Sequence, residues 1–277
     1  MKQINLNLGA IGRVSLGIKT PIIRAGYDLE QIVIDSCLNA VGEFYDKAII
    51  CITEAVVAIA EGNYAKPEDI QSEIARLYPN AEELTLLFPI QSRNRFMNIP
   101  KAIAAMPQIK KIYVILSYPC DEVGNRLVSE EDMIDSGVNP YLETFTAEEF
   151  YDIFGKPCHP FTGKNYIEEF EKACDGKAEI ILCNELSTLA EDYYENVLVC
   201  TIREDICELH KRILEENGAK RVYDLSDILS QPNNSGYSKY GLYGSNMMDG
   251  GVLKLMPRNP QELVEVMKFL KQKNGKI

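Results

Sequence analysis

Apolar and polar positions alternate along this chain in two rhythms. Residues 110–118 are an apolar, β-branched run and predict a buried strand. Shorter runs at 48–52, 178–183, 197–202 and 221–223 predict further strands, and residues 1–8 alternate in the two-residue period of a strand. Between these runs the spacing is helical. Asp28 is placed to cap a helix to about residue 41, with Leu29, Ile32, Val33, Cys37 and Val41 on one face. Pro67 opens a second helix to about residue 78, striped by Ile70, Ile74 and Leu77. Residues 94–106 predict a helix that Pro100 starts or kinks. Thr146 and Glu149 form a capping box for a short helix ended by Gly155. Further helices are predicted after Gly163, over about 204–217, and from an Asn259-Pro260 cap to about residue 272. The longest irregular stretches are about 117–141 and 231–251, lengths that inside compact proteins belong to functional or disordered loops. The alternation predicts an α/β or α+β fold, a mixed sheet with flanking helices. The 277 residues read as one unit, with two lobes divided near 118–140.

Composition narrows the function. The formal net charge of -12 argues against nucleic acid and anionic membranes as partners, because phosphate surfaces are bound by basic ones. No run approaches the ~18 apolar residues of a membrane span, and the first residues lack the apolar core of a signal peptide. The cytoplasm is the expected compartment. None of the eight cysteines forms a C-x-x-C pair, and several lie in apolar runs, so buried reduced thiols are expected rather than zinc or redox chemistry.

Three polar clusters carry candidate chemistry. Asp121 and Glu122 follow the strand at 110–118 on a Pro/Gly turn, where α/β proteins commonly build ligand sites. Hard cations such as Mg²⁺ take carboxylate oxygens there together with substrate phosphates. The stretch 231–246 combines glycines, hydroxyls and tyrosines, and its Gly241 and Gly244 are candidates to let backbone N–H groups approach a nucleotide phosphate. The third cluster spans 151–163 and holds Asp152 and, between Pro157 and Pro160, His159 as a candidate substrate contact. His210, inside an amphipathic helix, reads as a plain surface or boundary residue. Arg93 and Arg95 are able to clamp a carboxylate or phosphate. There is no Walker A, G-x-S-x-G, H-E-x-x-H or G-x-G-x-x-G sequence, which leaves carboxylates and glycine loops suited to metal–phosphate chemistry.

Four short blocks, in order, resemble the γ-glutamyl ligases of the deazaflavin coenzyme F-420. They are Lys19-Thr20-Pro21-Ile22-Ile23-Arg24-Ala25-Gly26-Tyr27-Asp28-Leu29, then Ile49–Gly62 ending in Ala58-Ile59-Ala60-Glu61-Gly62, then Asp121-Glu122-Val123-Gly124-Asn125, and Asp152-Ile153-Phe154-Gly155-Lys156-Pro157. The resemblance implies activation of a cofactor carboxylate by GTP (or ATP) with Mg²⁺ or Mn²⁺, then attack of L-glutamate on the acyl phosphate to give an amide. Asp121 and Asp152 would hold the metal with Glu122 beside them, and with Arg95 they are the catalytic candidates. Thr20, Pro21, Ile22, Ile23, Glu54 and Ala55 would contact the nucleotide, while Arg93 and Arg95 would orient glutamate or an acidic cofactor precursor. The family's fold is an unusual α/β arrangement that forms an intertwined homodimer. The chain departs from the family at Ile59, where a Lys stands, at Glu54-Ala55, and at Ile153, where a Thr stands. Alternatives are folate-type polyglutamylation, a metal-dependent phosphohydrolase, and a nucleotide- or cofactor-binding protein without turnover.

Overall fold

Asp28 does cap a helix. In the computed structural model its carboxylate accepts the Gln31 backbone N–H at 2.9 Å, starting α1 (Leu29–Val41), and Gly42, at φ +81°, closes it by donating to Leu38. The structure describes residues 12, 14–44, 48–91, 94–189, 191–232 and 235–274. The predicted strand at 1–8 lies outside them. The chain divides into two units, Met1–Gly62 with Asn259–Ile277, and Asn63–Arg258.

In the first unit, the described residues form α1, α2 (Glu54–Ala60) and the C-terminal helix Pro260–Asn274. Leu29, Val33, Ile34 and Cys37 of α1 pack with Val57 and Ala60 of α2 and with Met267. The run at 48–52 forms no strand, contrary to its composition: Ile49 is 85% exposed, and the segment belongs to neither sheet formed by the described residues. β-branched residues favour a strand where they pack on a half-buried pleated surface, and exposed Ile49 does not.

The second unit is a mixed α/β body. Its elements are β1 (Tyr64–Ala65), α3 (Pro67–Leu77), β2 (Glu83–Leu87), α4 (Asn98–Ala104), β3 (Lys111–Leu116), α5 (Glu130–Ser136), β4 (Phe145–Thr146), α6 (Ala147–Phe154), α7 (Tyr166–Ala173), β5 (Ala178–Leu182), β6 (Asn196–Val199), α8 (Glu204–Glu216), β7 (Arg221–Asp224), β8 (Asn246–Met247) and β9 (Leu253–Lys254). Six strands lie in the order β4-β5-β3-β2-β6-β7, all parallel except the edge strand β4. The register sets Leu86 beside Val114 and Leu198, and Val114 beside Ile180. Parallel strands are buried on both faces and so read as continuous apolar runs. One face, with Leu84, Leu86, Ile112 and Val114, packs on α3, α4, α6 and α7; the other, with Leu87, Ile115, Val197 and Val199, packs on Cys207 and Leu214 of α8. The capping box forms as predicted, Thr146 Oγ1 accepting from Glu149 N–H and the Glu149 carboxylate accepting from Thr146 N–H at 2.8 Å. The stretch 117–141 holds α5. The stretch 231–251 turns back onto β1, with β8 and β9 completing a small antiparallel sheet.

Candidate active site at the strand switch point

From β2 the chain fills the sheet first on one side, through β3 and β5, and then on the other, through β6 and β7. The order therefore reverses across the β2–β6 pair. In open α/β sheets, ligands bind outside the carboxyl ends of the strands at such a reversal, because the loops there diverge and leave a crevice. A cleft of about 890 Å³ opens at that place. Each strand end contributes to it: Phe88 after β2, Ser117 to Glu122 after β3, Asn184 after β5, and Thr201 and Arg203 after β6. Ile206 and His210 of α8 form another wall, and Arg126, Glu130, Met133, Ile134 and Tyr141 come from the α5 region. Arg126 and Arg203 are its cations, each in an exposed ion pair, with Glu130 at 3.4 Å and Asp205 at 3.1 Å. Exposed pairs of this kind contribute little, so a bound anion can compete for either arginine.

The cleft floor is braced by side chains turned to the backbone. Asn184 donates to Pro140 O at 2.9 Å and to Tyr118 O, and its Oδ1 accepts from Tyr118 N–H at 3.2 Å. Gln91 donates to Ser117 O at 3.0 Å, while its own N–H donates to Glu122 Oε2 at 3.0 Å.

Asp121 is buried and paired with His159, two residues from separate sequence clusters. Its Oδ1 accepts the N–H groups of Val123 (3.0 Å) and Asn125 (2.7 Å). Its Oδ2 accepts from Asn125 Nδ2 (2.7 Å) and lies 2.9 Å from His159 Nε2. His159 Nδ1 faces the Phe161 N–H at 3.3 Å, which assigns the ring proton to Nε2. Burial works to raise the Asp121 pKa, but the hydrogen bonds from Asn125, His159 and Val123 outweigh it and hold the carboxyl below its ordinary value.

A metal fits this carboxylate poorly. A carboxylate offers about four acceptor positions, and in Asp121 all four are filled by protein donors. Asp152 is exposed on α6 and is not among the residues lining the cleft. Among the described residues no group of three or more His, Cys, Asp or Glu side chains is placed to hold a metal ion.

The other sequence candidates fall in several places. Gly241 (φ +55°) is required by packing, since a Cβ there would lie 2.4 Å from Leu225 O; Gly244 (φ +68°) meets only the flexible Met256 side chain, and its positive φ is what favours glycine. The Gly241 N–H donates to Ser238 O at 2.7 Å and so is already engaged within its own turn. Thr20, Pro21 and Ile22 are exposed in an irregular segment of the first unit, with Ile23 half-buried; Glu54 and Ala55 open α2. Arg93 lies outside the described residues. Arg95 lies in the short 3₁₀ turn Asn94–Met97 before α4. His159 is buried beside a small cavity of about 20 Å³ rather than in the cleft. Burial pushes the thiols of Cys174 up to about 12 and Cys207 up to about 11, whereas Cys51, expected to be buried in the apolar run 48–52, is exposed.

Sequence reasoning missed Phe88, Thr201, Arg203 and His210 as cleft residues. His210 is half-buried, its ring centroid 5.1 Å from that of Phe88 and its Nδ1 3.3 Å from Thr201 Oγ1. Burial holds its pKa below the ordinary 6.5, against the opposing charge of Glu185. The available signal was position: Phe88 directly follows the parallel strand β2, and Thr201 and Arg203 lie in the loop between β6 and α8.

Fold and cleft define an α/β protein with a candidate ligand site at its strand ends. The family model described as F420-0:gamma-glutamyl ligase matches residues 17–276. The chain belongs to that family of acid–amino-acid ligases. No curated protein and no solved structure compared with the chain matches it. No helix among the described residues is long and apolar enough to cross a membrane.

Proposed function

We propose that this protein joins L-glutamate in γ linkage to a carboxylate of a deazaflavin-type cofactor precursor, at the expense of GTP or ATP. The observation that carries the reading is the family match over residues 17–276. The acceptor carboxylate attacks the terminal phosphate, the nucleoside diphosphate leaves, and the amine of glutamate then displaces phosphate from the acyl carbon. Every reactant is anionic, so the binding surface needs cations set against the net charge of -12. Arg126 and Arg203 in the cleft support the reading, since guanidinium forks match carboxylate and phosphate geometry. Arg95 is the proposed clamp for glutamate or the acceptor; Arg95→Ala raises KM for that substrate and leaves nucleotide affinity nearly unchanged. Mg²⁺ or Mn²⁺ accompanies the nucleotide phosphates in this proposal. We also infer a homodimer, which the exposed apolar residues Leu16, Ile22 and Ile49 of the first unit support.

The test is product analysis with purified protein. Amide product that requires both glutamate and nucleotide supports the ligase; phosphate release without glutamate refutes it in favour of a phosphohydrolase. One observation favours a second reading, a cofactor-binding protein without turnover: the acceptor positions of Asp121 are filled. Tight binding of the acceptor with no amide formed would decide for that reading.

A further inference from the structure

The ligase reading assigns the cleft's arginines but leaves its aromatic wall unexplained. Phe88 has φ +49°, a backbone state that side chains other than glycine rarely adopt. Such residues persist where the surroundings over-determine them, and they cluster at ligand sites. Here the sheet ladder pins both sides of the position: Phe88 N–H donates to Ile115 O at 2.9 Å, and Cys200 N–H donates to Leu87 O at 2.8 Å. The strained backbone sets the Phe88 ring at the strand switch point, half-buried, against His210. Burial keeps the imidazole neutral near pH 7, so it offers an aromatic plane and not a competing cation. The contact of His210 Nδ1 with Thr201 Oγ1 fixes the ring from the β6 side.

We propose that Phe88 and His210 form the seat for the planar aromatic ring of a phosphate-bearing substrate, whose anionic groups reach Arg126 and Arg203. Stacking is suited to this because every heteroaromatic ring offers a π face, and an aromatic side chain holds it without reading its edge. The seat rests on the ligase reading only for the two rings considered: the purine of the nucleotide and the deazaflavin of the acceptor.

Two measurements test it. The chain has only two histidines, so the His210 imidazole proton signals are readily separated from those of buried His159. Titrating wild-type protein with GTP, ATP and the deazaflavin acceptor in turn, we expect at least one to shift the His210 signals while those of His159 stay in place; shifts with a nucleotide identify a base seat, and shifts with the acceptor a deazaflavin seat. In equilibrium binding of that same ligand, Phe88→Leu and His210→Leu each weaken affinity about tenfold, the size of one lost stack, whereas His210→Phe retains it. His210 signals that move with none of the ligands overturn the proposal, as does a His210→Phe variant as weak as His210→Leu. Amide formation is measured in parallel. An active ligase with an unmoved His210 refutes the seat alone; a protein that binds through His210 yet forms no amide refutes the ligase alone.

Discussion

Replacing Asp121 by Asn separates a structural carboxylate from a metal-binding one. In the native turn Oδ1 accepts two backbone N–H groups and Oδ2 accepts from Asn125 Nδ2 and from His159 Nε2. In the variant Oδ1 keeps its two bonds, but an NH₂ group now faces two buried donors. The Asn125 amide can turn over and present its oxygen. His159 cannot adapt as easily: moving its proton to Nδ1 would set that proton against the Phe161 N–H. One charge-assisted hydrogen bond is thus lost outright and a second is weakened, each worth roughly 1.5–3 kcal/mol. We expect a loss of about 3 kcal/mol, a large share of the roughly 5–15 kcal/mol by which proteins are folded. Urea denaturation followed by circular dichroism should show the midpoint falling by about 1 M, for a slope of about 3 kcal/mol/M. The pH dependence has a definite sign. The folded carboxyl titrates below its ordinary 3.8, so its contribution is fully present above that value and disappears as pH falls through the folded one. The deficit of the variant should therefore shrink in acid. A carboxylate kept only to hold a cation would leave the metal-free protein as stable after neutralisation, or more so. An unchanged midpoint for Asp121→Asn at neutral pH, without added metal, would refute the reasoning.

Three further outcomes are expected. Gly241→Ala places a side chain at φ +55° and 2.4 Å from Leu225 O, so it should cost at least ~1–3 kcal/mol; an unaltered thermal midpoint would show that the glycine is not required by packing. His210 has a folded pKa below 6.5, so the unfolded chain takes up a proton there that the fold refuses. Stability should fall as pH drops below 6.5, by at most about 1.4 kcal/mol per pH unit for one proton, and His210→Phe should flatten that slope; identical slopes would refute the burial argument. Light scattering at micromolar concentration should return a dimer mass, and a clean monomer would count against the inferred homodimer, whose interface should be of the large obligate kind.

Fold class was legible because two periodicities dominate the chain. The strands at β3, β5 and β6 are apolar runs, and the caps at Asp28 and Thr146 are made by the residues that sequence marks for capping. β2 escaped because Glu-Leu-Thr-Leu-Leu has the composition of a helix turn as much as of a strand; only its place between β3 and β6, buried on both faces, makes it a strand. The run at 48–52 failed in the opposite sense, being strand-like in composition but outside both sheets of the described residues.

Missing β2 also hid the site. Without the central strand there is no order β5-β3-β2-β6-β7, hence no reversal, and Phe88 is merely a residue before Pro89. Polar residues drew attention in the sequence because charge, proline and glycine are conspicuous there. In the fold many of them meet their needs locally: Asp121 fills its acceptor positions with its own turn and with His159, and Gly241 relieves a steric contact. The cleft is instead walled by residues that are ordinary in sequence and distinguished by position, in the loops beyond parallel strands and in the first two turns of α8. A buried group that is fully satisfied has little left to offer a ligand, and a strained, half-exposed one has more. On that criterion Phe88 and His210 are the proposed ligand contacts of the cleft, while the Asp121–His159 pair is satisfied within the protein.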